Sequence, residues 1–373
     1  MKWSRKNGLT RWLIVLAVFA MVASACSSDD GVETQELTPV KLQLQWFTQA
    51  QFAGYFAALD QGFYADAGLD VEILEGGVDI VPATVLDSGA ADFAISWVPR
   101  GLVPREEGLN ITNIAQVFQR SATLQVSFTD TGISGVGDLA GKTVGNWGFG
   151  NEFELLAGLR SAGLDPDSDV SLVQQQFDML ALISGDIDAA QAMIYNEYAQ
   201  VLETVNPDTG ELYQPDDLSI IDWNQVGTAM LQDAIWADAD KLEDDAAYRA
   251  TAVAFVEASL RGWAFCRDEF DKCVDVVLGA GPTLGESHQA WQLNEINNLI
   301  WPSPDGAGVM DQALWDQTIE VATNEGILAS VPTDGAFVTD IAAEAIANLK
   351  EDGIDVVGDG WSPKTIELKA GGE

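Results

Sequence analysis

Apolar and polar residues alternate through residues 40–46, VKLQLQW, and the alternation then stops. A period of two over such a run predicts a β-strand. Thr48, Gln49 and Gln51 interrupt it, Tyr55, Phe56, Leu59 and Phe63 then recur at helical spacing, and DVEIL supplies a second strand. Residues 41–77 therefore read as one βαβ unit with a polar, aromatic break between its first strand and its helix. At the carboxyl end of a strand in an open α/β sheet, free N–H groups and a crevice meet, so that break is where a ligand would sit. The plain alternative is a packed unit in which Trp46, Phe47 and Phe52 are core.

The rhythm continues. Up to residue 130 the strands VKLQLQW, DVEIL, ADFAIS, ITNIAQVF and LQVSFTD alternate with helical stretches at 50–66, 78–89 and 98–108, which implies a mostly parallel sheet covered on both faces. Gly and Ser punctuate 132–139, and KTVGNW, EFELLAGLRSAG, DVSLVQQ, FDMLALISG and AAQAMIY repeat the alternation. DLSIIDWNQVG adds an extended segment, and 243–350 is mainly helical. Such a length exceeds one typical core, so an α/β chain of two lobes is expected, 40–130 plus 228–373 forming lobe one and 131–227 lobe two. Crossings near 130 and 227 would make a hinge, and closure of the lobes would trap a ligand between them.

A cleft of this kind is lined by strand-to-helix turns, and four stand out. The first holds Trp46, Gln49, Gln51 and Phe52, an aromatic face with amide donors and acceptors suited to a flat heterocycle. In the second, Ser96 can donate and Trp97 can stack, while Arg100 could meet an anion but is more often a surface residue. The third contains Trp147, Gly148, Asn151 and Glu152; its glycines admit close backbone approach, although Asn151 could simply cap the next helix. GNWGFG has neither dinucleotide nor P-loop spacing. The fourth, Tyr195, Asn196 and Glu197, offers a ring, an amide and a carboxylate able to accept from an exocyclic amino group, against the alternative of an Asn196 helix cap. Asp178 and Trp223 are weaker candidates, and Trp263, Trp291 and Trp315 read as core.

WFTQAQFAGYFAALDQGFYADAGLDVEI resembles the opening of the periplasmic binding proteins related to thiamine-pyrimidine synthases, and DLAGKTVGNWGFGNE (138–152), AAQAMIYNEYA (189–199) and the helix pair around Cys266 also fit. The resemblance implies a type II periplasmic-binding-protein fold, with a hinge and a ligand cleft between two α/β lobes. It further implies a monomer without cofactor that captures a small aromatic heterocycle and delivers it to the permease and ATPase of an ABC importer. The ligand class it favours is a thiamine pyrimidine precursor such as formylaminopyrimidine or hydroxymethylpyrimidine, with riboflavin or another flavin as the alternative. Relatives that carry sulfonate or nitrate should need more positive charge than Arg100 supplies. Phe52 departs from the polar pair, often including His, that relatives carry there. Fungal thiamine-pyrimidine synthases use their own histidine, a lysine-bound pyridoxal phosphate and a Cys-rich motif; this chain lacks that motif and has one histidine, His288, outside the four turns. It reads as a binding protein rather than an enzyme.

Residues 1–25 combine Lys2, Arg5, Lys6 and Arg11 with the apolar run LIVLAVFAMV and small residues, the pattern of a signal peptide. Ala23-Ser24-Ala25-Cys26 resembles a lipobox, so Cys26 is the expected lipidation site and 26–39 a flexible tether to the outer or periplasmic face of the membrane. Loss of a leader with four basic and no acidic residues takes the formal charge from −40 to −44. Such a surface repels nucleic acid. The remaining pair, Cys266 and Cys273, suits a disulfide across two consecutive helices in an exported chain. No set of soft ligands suggests a metal, and His288 reads as a solvated helix residue.

Overall fold

A computed structural model describes residues 36–148, 150–333 and 335–373. The expected signal peptide, Cys26 and the tether up to residue 35 lie outside the described residues. Among the described residues ten strands are distributed over two groups of sheet. The first sheet has the order β2 (Leu69–Leu74), β1 (Thr38–Gln43), β3 (Phe93–Trp97), β10 (Asp233–Asp238), β4 (Ile111–Gln116). Strands β1, β2 and β3 run parallel, whereas β10 is antiparallel to both of its neighbours. The second group pairs β5 (Thr123–Phe128) antiparallel with β8 (Ala190–Met193) and β9 (Leu218–Asp222). Strands β6 (Thr143–Asn146) and β7 (Ser171–Gln174) pair parallel, and an isolated bridge from Val144 to Ala189 joins them to the approach of β8.

Sheet membership of β5 departs from expectation. LQVSFTD follows the first alternation directly, which places it with the first lobe, but its backbone ladder belongs to the second group. The chain thus leaves the first sheet through 117–122, before β5, and returns through 223–232. Side chains tie these two passages together. Gln232 accepts from the Ala122 N–H at 2.9 Å and donates to Thr123 Oγ1 at 2.7 Å. The buried Glu154 carboxylate, on the helix Phe153–Ser161 (α3), accepts from the Met230 N–H at 2.6 Å and from Ser121 Oγ at 3.1 Å. Burial without a cation pushes Glu154 up to about 7.

Helix α1 (Ala53–Asp60) follows β1 and packs on the long helix α5 (Ala246–Asp268). Their contact is close because glycines meet: a side chain at Gly262 would run into the Gly54 carbonyl and Ala58. Leu42, Leu44, Phe52, Phe93, Phe255 and Trp263 fill the core beneath, each buried side chain contributing roughly 1.5–3 kcal/mol of hydrophobic stabilisation. Helix α2 (Val98–Glu106) follows β3 directly, and α4 (Glu197–Leu202) follows β8 after the turn 194–196. Helices α6 (Phe270–Ala280), α7 (Glu286–Ile300) and α8 (Asp340–Glu351) account for much of the helical stretch read after 243. A Cys266–Cys273 disulfide spans the break between α5 and α6, with Cα atoms 5.0 Å apart. Among the described residues no helix is long and apolar enough to cross a membrane.

Helix α7 touches both halves. Leu293, Ile296 and Ile300 lie in the core under the first sheet, while Trp291 packs toward the second and donates from Nε1 to the Ile194 carbonyl at 2.9 Å.

Candidate functional site

Every strand-to-helix turn singled out in the sequence reaches one cavity of about 470 Å³. Gln45, Trp46, Gln49 and Gln51 enter it from the turn after β1, Trp97 from the end of β3 and Arg100 from the start of α2. Trp147 and Asn151 enter from the β6–α3 turn, Phe177 from beyond β7, and Met193, Tyr195, Asn196 and Glu197 from the β8–α4 turn. Val78, Asp79 and Val81 complete the wall. Strand ends from both sheet groups therefore converge, as a crevice outside the carboxyl ends of α/β strands requires.

Aromatic side chains close one side. The Trp46 ring lies 5.0 Å from Phe177, and Phe177 lies 5.9 Å from Trp147 with planes only 26° apart. Trp46 comes from the first sheet and the other two from the second group, so a flat ring entering the cavity would meet apolar faces from both halves.

Polar groups fix the other side. Asp233, which opens β10, is 2% exposed and accepts from Gln45 Nε2 at 2.6 Å, Trp97 Nε1 at 2.8 Å and Gln51 Nε2 at 3.0 Å. All three donors are neutral and all three line the cavity. Burial pushes the Asp233 carboxyl up to about 7, the three hydrogen bonds acting in the opposite sense. Glu197 is buried beside the cavity, its carboxylate accepting from the Met193 N–H at 2.9 Å and from Asn196 Nδ2 at 2.7 Å. Burial raises its pKa, opposed by those bonds and by the nearby His288. A carboxylate has about four acceptor positions, so Glu197 retains capacity for a donor from a ligand.

The two carboxylates are joined by a run of side chains. Gln51 accepts from Gln49 Nε2 at 2.8 Å, and Gln292 on α7 donates to Gln49 Oε1 at 3.2 Å and to Asn196 Oδ1 at 3.0 Å. His288, one turn earlier on α7, meets Asn196 Oδ1 at 2.9 Å through Nε2 and Glu203 Oε1 at 2.7 Å through Nδ1. This corrects the reading of His288 as a solvated residue. Helical spacing from a polar neighbourhood gave no sign of it, because its partners lie in the β8–α4 turn and at the end of α4. Replacing His288 with alanine is expected to cost about 2 kcal/mol in urea unfolding, since it strips a partner from buried Glu203. An unchanged midpoint would restore the solvated reading.

Four predicted residues stand off the cavity. Phe52 is fully buried and points into the core. Ser96 is buried in β3, where its carbonyl accepts from Trp236 Nε1 at 3.0 Å. Gly148 forms the turn itself at φ 71°, and Glu152 braces it by accepting from the Gly150 N–H at 3.0 Å. Of the weaker candidates, Asp178 accepts from the Leu180 N–H at 3.0 Å at a helix start, and Trp223 is core. The capping alternatives do not describe the turns either: Asn151 Nδ2 donates to the Gly148 carbonyl at 2.7 Å, and Asn196, at the N-cap of α4, makes no side-chain capping bond. Gln45, Asp233 and Phe177 were missed. An acidic residue opening the apolar strand DAIWAD was the available signal for Asp233.

Comparison with known proteins fits this geometry. A family model described as NMT1/THI5 like matches residues 49–272. The chain is similar to the formylaminopyrimidine-binding protein of Halalkalibacterium halodurans, with 24% identity over 71% of this chain and 78% of that protein. It is also similar to the riboflavin-binding protein RibY of Chloroflexus aurantiacus, with 27% identity over 86% of this chain and 93% of that protein. Among solved structures, a putative periplasmic sulfonate-binding protein of an ABC transporter from Methylobacillus flagellatus superposes with a TM-score of 0.64 at 17% identity, covering 89% of this chain and 99% of that one. That likeness establishes the type II periplasmic-binding-protein fold, two α/β lobes about a hinge with a cleft between them.

Proposed function

The chain belongs to the NMT1/THI5-like family, and on that premise we propose that it is the solute-binding protein of an ABC importer, capturing a small aromatic heterocycle by lobe closure. The observation that carries the reading is the pairing of an aromatic cluster, Trp46, Phe177 and Trp147, with a buried carboxylate, Glu197, on the wall of one cavity. A flat ring would lie against the aromatic cluster while an exocyclic amino group donates to Glu197. The aminopyrimidine precursors of thiamine have that chemistry, and one relative is named for such a compound. Riboflavin is the second reading, favoured by the nearly full-length similarity to a protein named for it.

The cavity size lies within the range of small-molecule sites. In this account the protein is exported, held to the membrane through lipid on Cys26, monomeric, and docked on a permease and ATPase. Its lobes meet at 117–122 and 223–232. Thermal unfolding of protein lacking residues 1–26 across a panel of pyrimidine precursors, thiamine, riboflavin and related flavins tests the ligand class. One heterocycle should stabilise by about 2.7 kcal/mol at a hundredfold excess over its Kd. No response across the panel would sink the assignment.

A further inference from the structure

Arg100 presents a guanidinium to the cavity that makes no hydrogen bond or ion pair with any described residue. The carboxylate whose charge it feels is Asp233, but that group is already engaged: one oxygen accepts from Gln45 and Trp97, the other from Gln51. Neutral donors thus occupy the place a salt bridge would take. Tyr195 is in a similar position. Its ring is buried in the same wall, its hydroxyl has no hydrogen-bond partner among the described residues, and it too feels the charge of Asp233. Burial pulls the Arg100 pKa down, with Asp233 opposing, and raises that of Tyr195. Both remain donors at neutral pH. Both donors reach the cavity with no acceptor among the described residues, and a ligand oxygen entering it would meet them free to bond.

The sign of the surroundings narrows the class of oxygen. Asp79 and Glu197 line the cavity and Asp233 lies behind it, three carboxyls against one guanidinium, so a second full negative charge would be opposed. We propose that Arg100, with the Tyr195 hydroxyl, selects ligands whose heterocycle carries a neutral carbonyl oxygen in addition to the amino or N–H edge that Glu197 reads. The inference rests on the heterocycle-binding reading and adds to it a specificity-determining residue.

The test compares three aminopyrimidines that share a ring and differ at one substituent, formylaminomethyl, methyl and phosphorylated hydroxymethyl, by calorimetric titration of wild-type protein and Arg100→Met. Wild type should bind the formylaminomethyl compound about 10-fold or more tightly than the methyl compound, from one charge-assisted hydrogen bond. Arg100→Met should remove that preference, leave affinity for the methyl compound unchanged, and unfold at the same temperature as wild type when empty. Tighter binding of the phosphate would overturn the neutral-carbonyl assignment. Equal weakening of all three compounds, or a lower melting temperature of empty Arg100→Met, would make the residue a countercharge for Asp233 instead. If wild type binds no pyrimidine but binds riboflavin, Arg100→Met should weaken riboflavin by the same factor, and unchanged affinity refutes the inference. Failure to bind any of these compounds refutes the heterocycle reading itself.

Discussion

Asp233→Leu should destabilise the ligand-free protein by on the order of 4 kcal/mol, read from denaturant unfolding. The substitution leaves Gln45 Nε2, Gln51 Nε2 and Trp97 Nε1 buried without their acceptor, and each orphaned donor costs about 1–3 kcal/mol. A loss below 1 kcal/mol would mean that water reaches those donors. The same carboxyl makes stability depend on pH in a definite sense. Its value is near 3.9 in an unfolded chain and about 7 in the folded one, so between those limits the folded state holds more protons. Stability from Asp233 is therefore complete below about pH 4 and is lost as pH rises through 7. Glu154 at the hinge acts in the same direction. Glu75 and Asp355, whose pKa values are lowered by hydrogen bonds, act in the opposite sense at more acid pH. The melting temperature should accordingly be higher at pH 5 than at pH 8, and Asp233→Asn should flatten that slope. A rise in stability from pH 5 to pH 8 would show that these carboxyls are stabilised as anions.

Trp46→Ala should weaken heterocycle binding by about 30- to 100-fold, the scale of losing a stacked aromatic anchor at a binding hot spot. Its cost to the empty protein should be smaller than for a fully buried tryptophan, since the Trp46 ring is only partly buried, with Phe47 and Phe177 as ring neighbours. Fluorescence titration and thermal unfolding of the same variant separate the two effects. A large stability loss with unchanged affinity would return Trp46 to the core. Glu197→Gln is a less clean probe. The amide it introduces would set an NH2 group against either the Met193 N–H or the Asn196 amide, so part of its effect would be structural.

The location of the site was legible because it follows from alternation. Each place where strand period gives way to helix period became a turn on the cavity wall, and Trp46, Gln49, Gln51, Trp97, Trp147, Asn151, Tyr195, Asn196 and Glu197 all reach it. What alternation could not supply was phase within a turn. Phe52 and Gln51 are adjacent, yet one side chain enters the core and the other bonds Asp233. The polar positions of the first strand illustrate a related limit. Gln43 and Gln45 fall on what a half-buried strand would expose, but both are buried, because backbone carbonyls and Asp233 take up their amides. Asp233 lies 188 residues from Gln45, and the contact exists only because the chain returns through the second crossing to insert β10 beside β3. The same non-local pairing hid the membership of β5. Local pattern specifies that a strand forms there, while its partners are set by chain segments as distant as β9.

In the proposed reading one aromatic heterocycle lies against Trp46, Phe177 and Trp147, with a donor edge at Glu197. An equilibrium titration of wild-type protein with formylaminopyrimidine and with riboflavin, followed by tryptophan fluorescence, tests it most directly. Saturable one-to-one binding of one of the two, largely abolished in Trp46→Ala, is the predicted result. Binding that is absent for both, or that is unaffected by loss of Trp46, would mean that no heterocycle rests on this aromatic cluster.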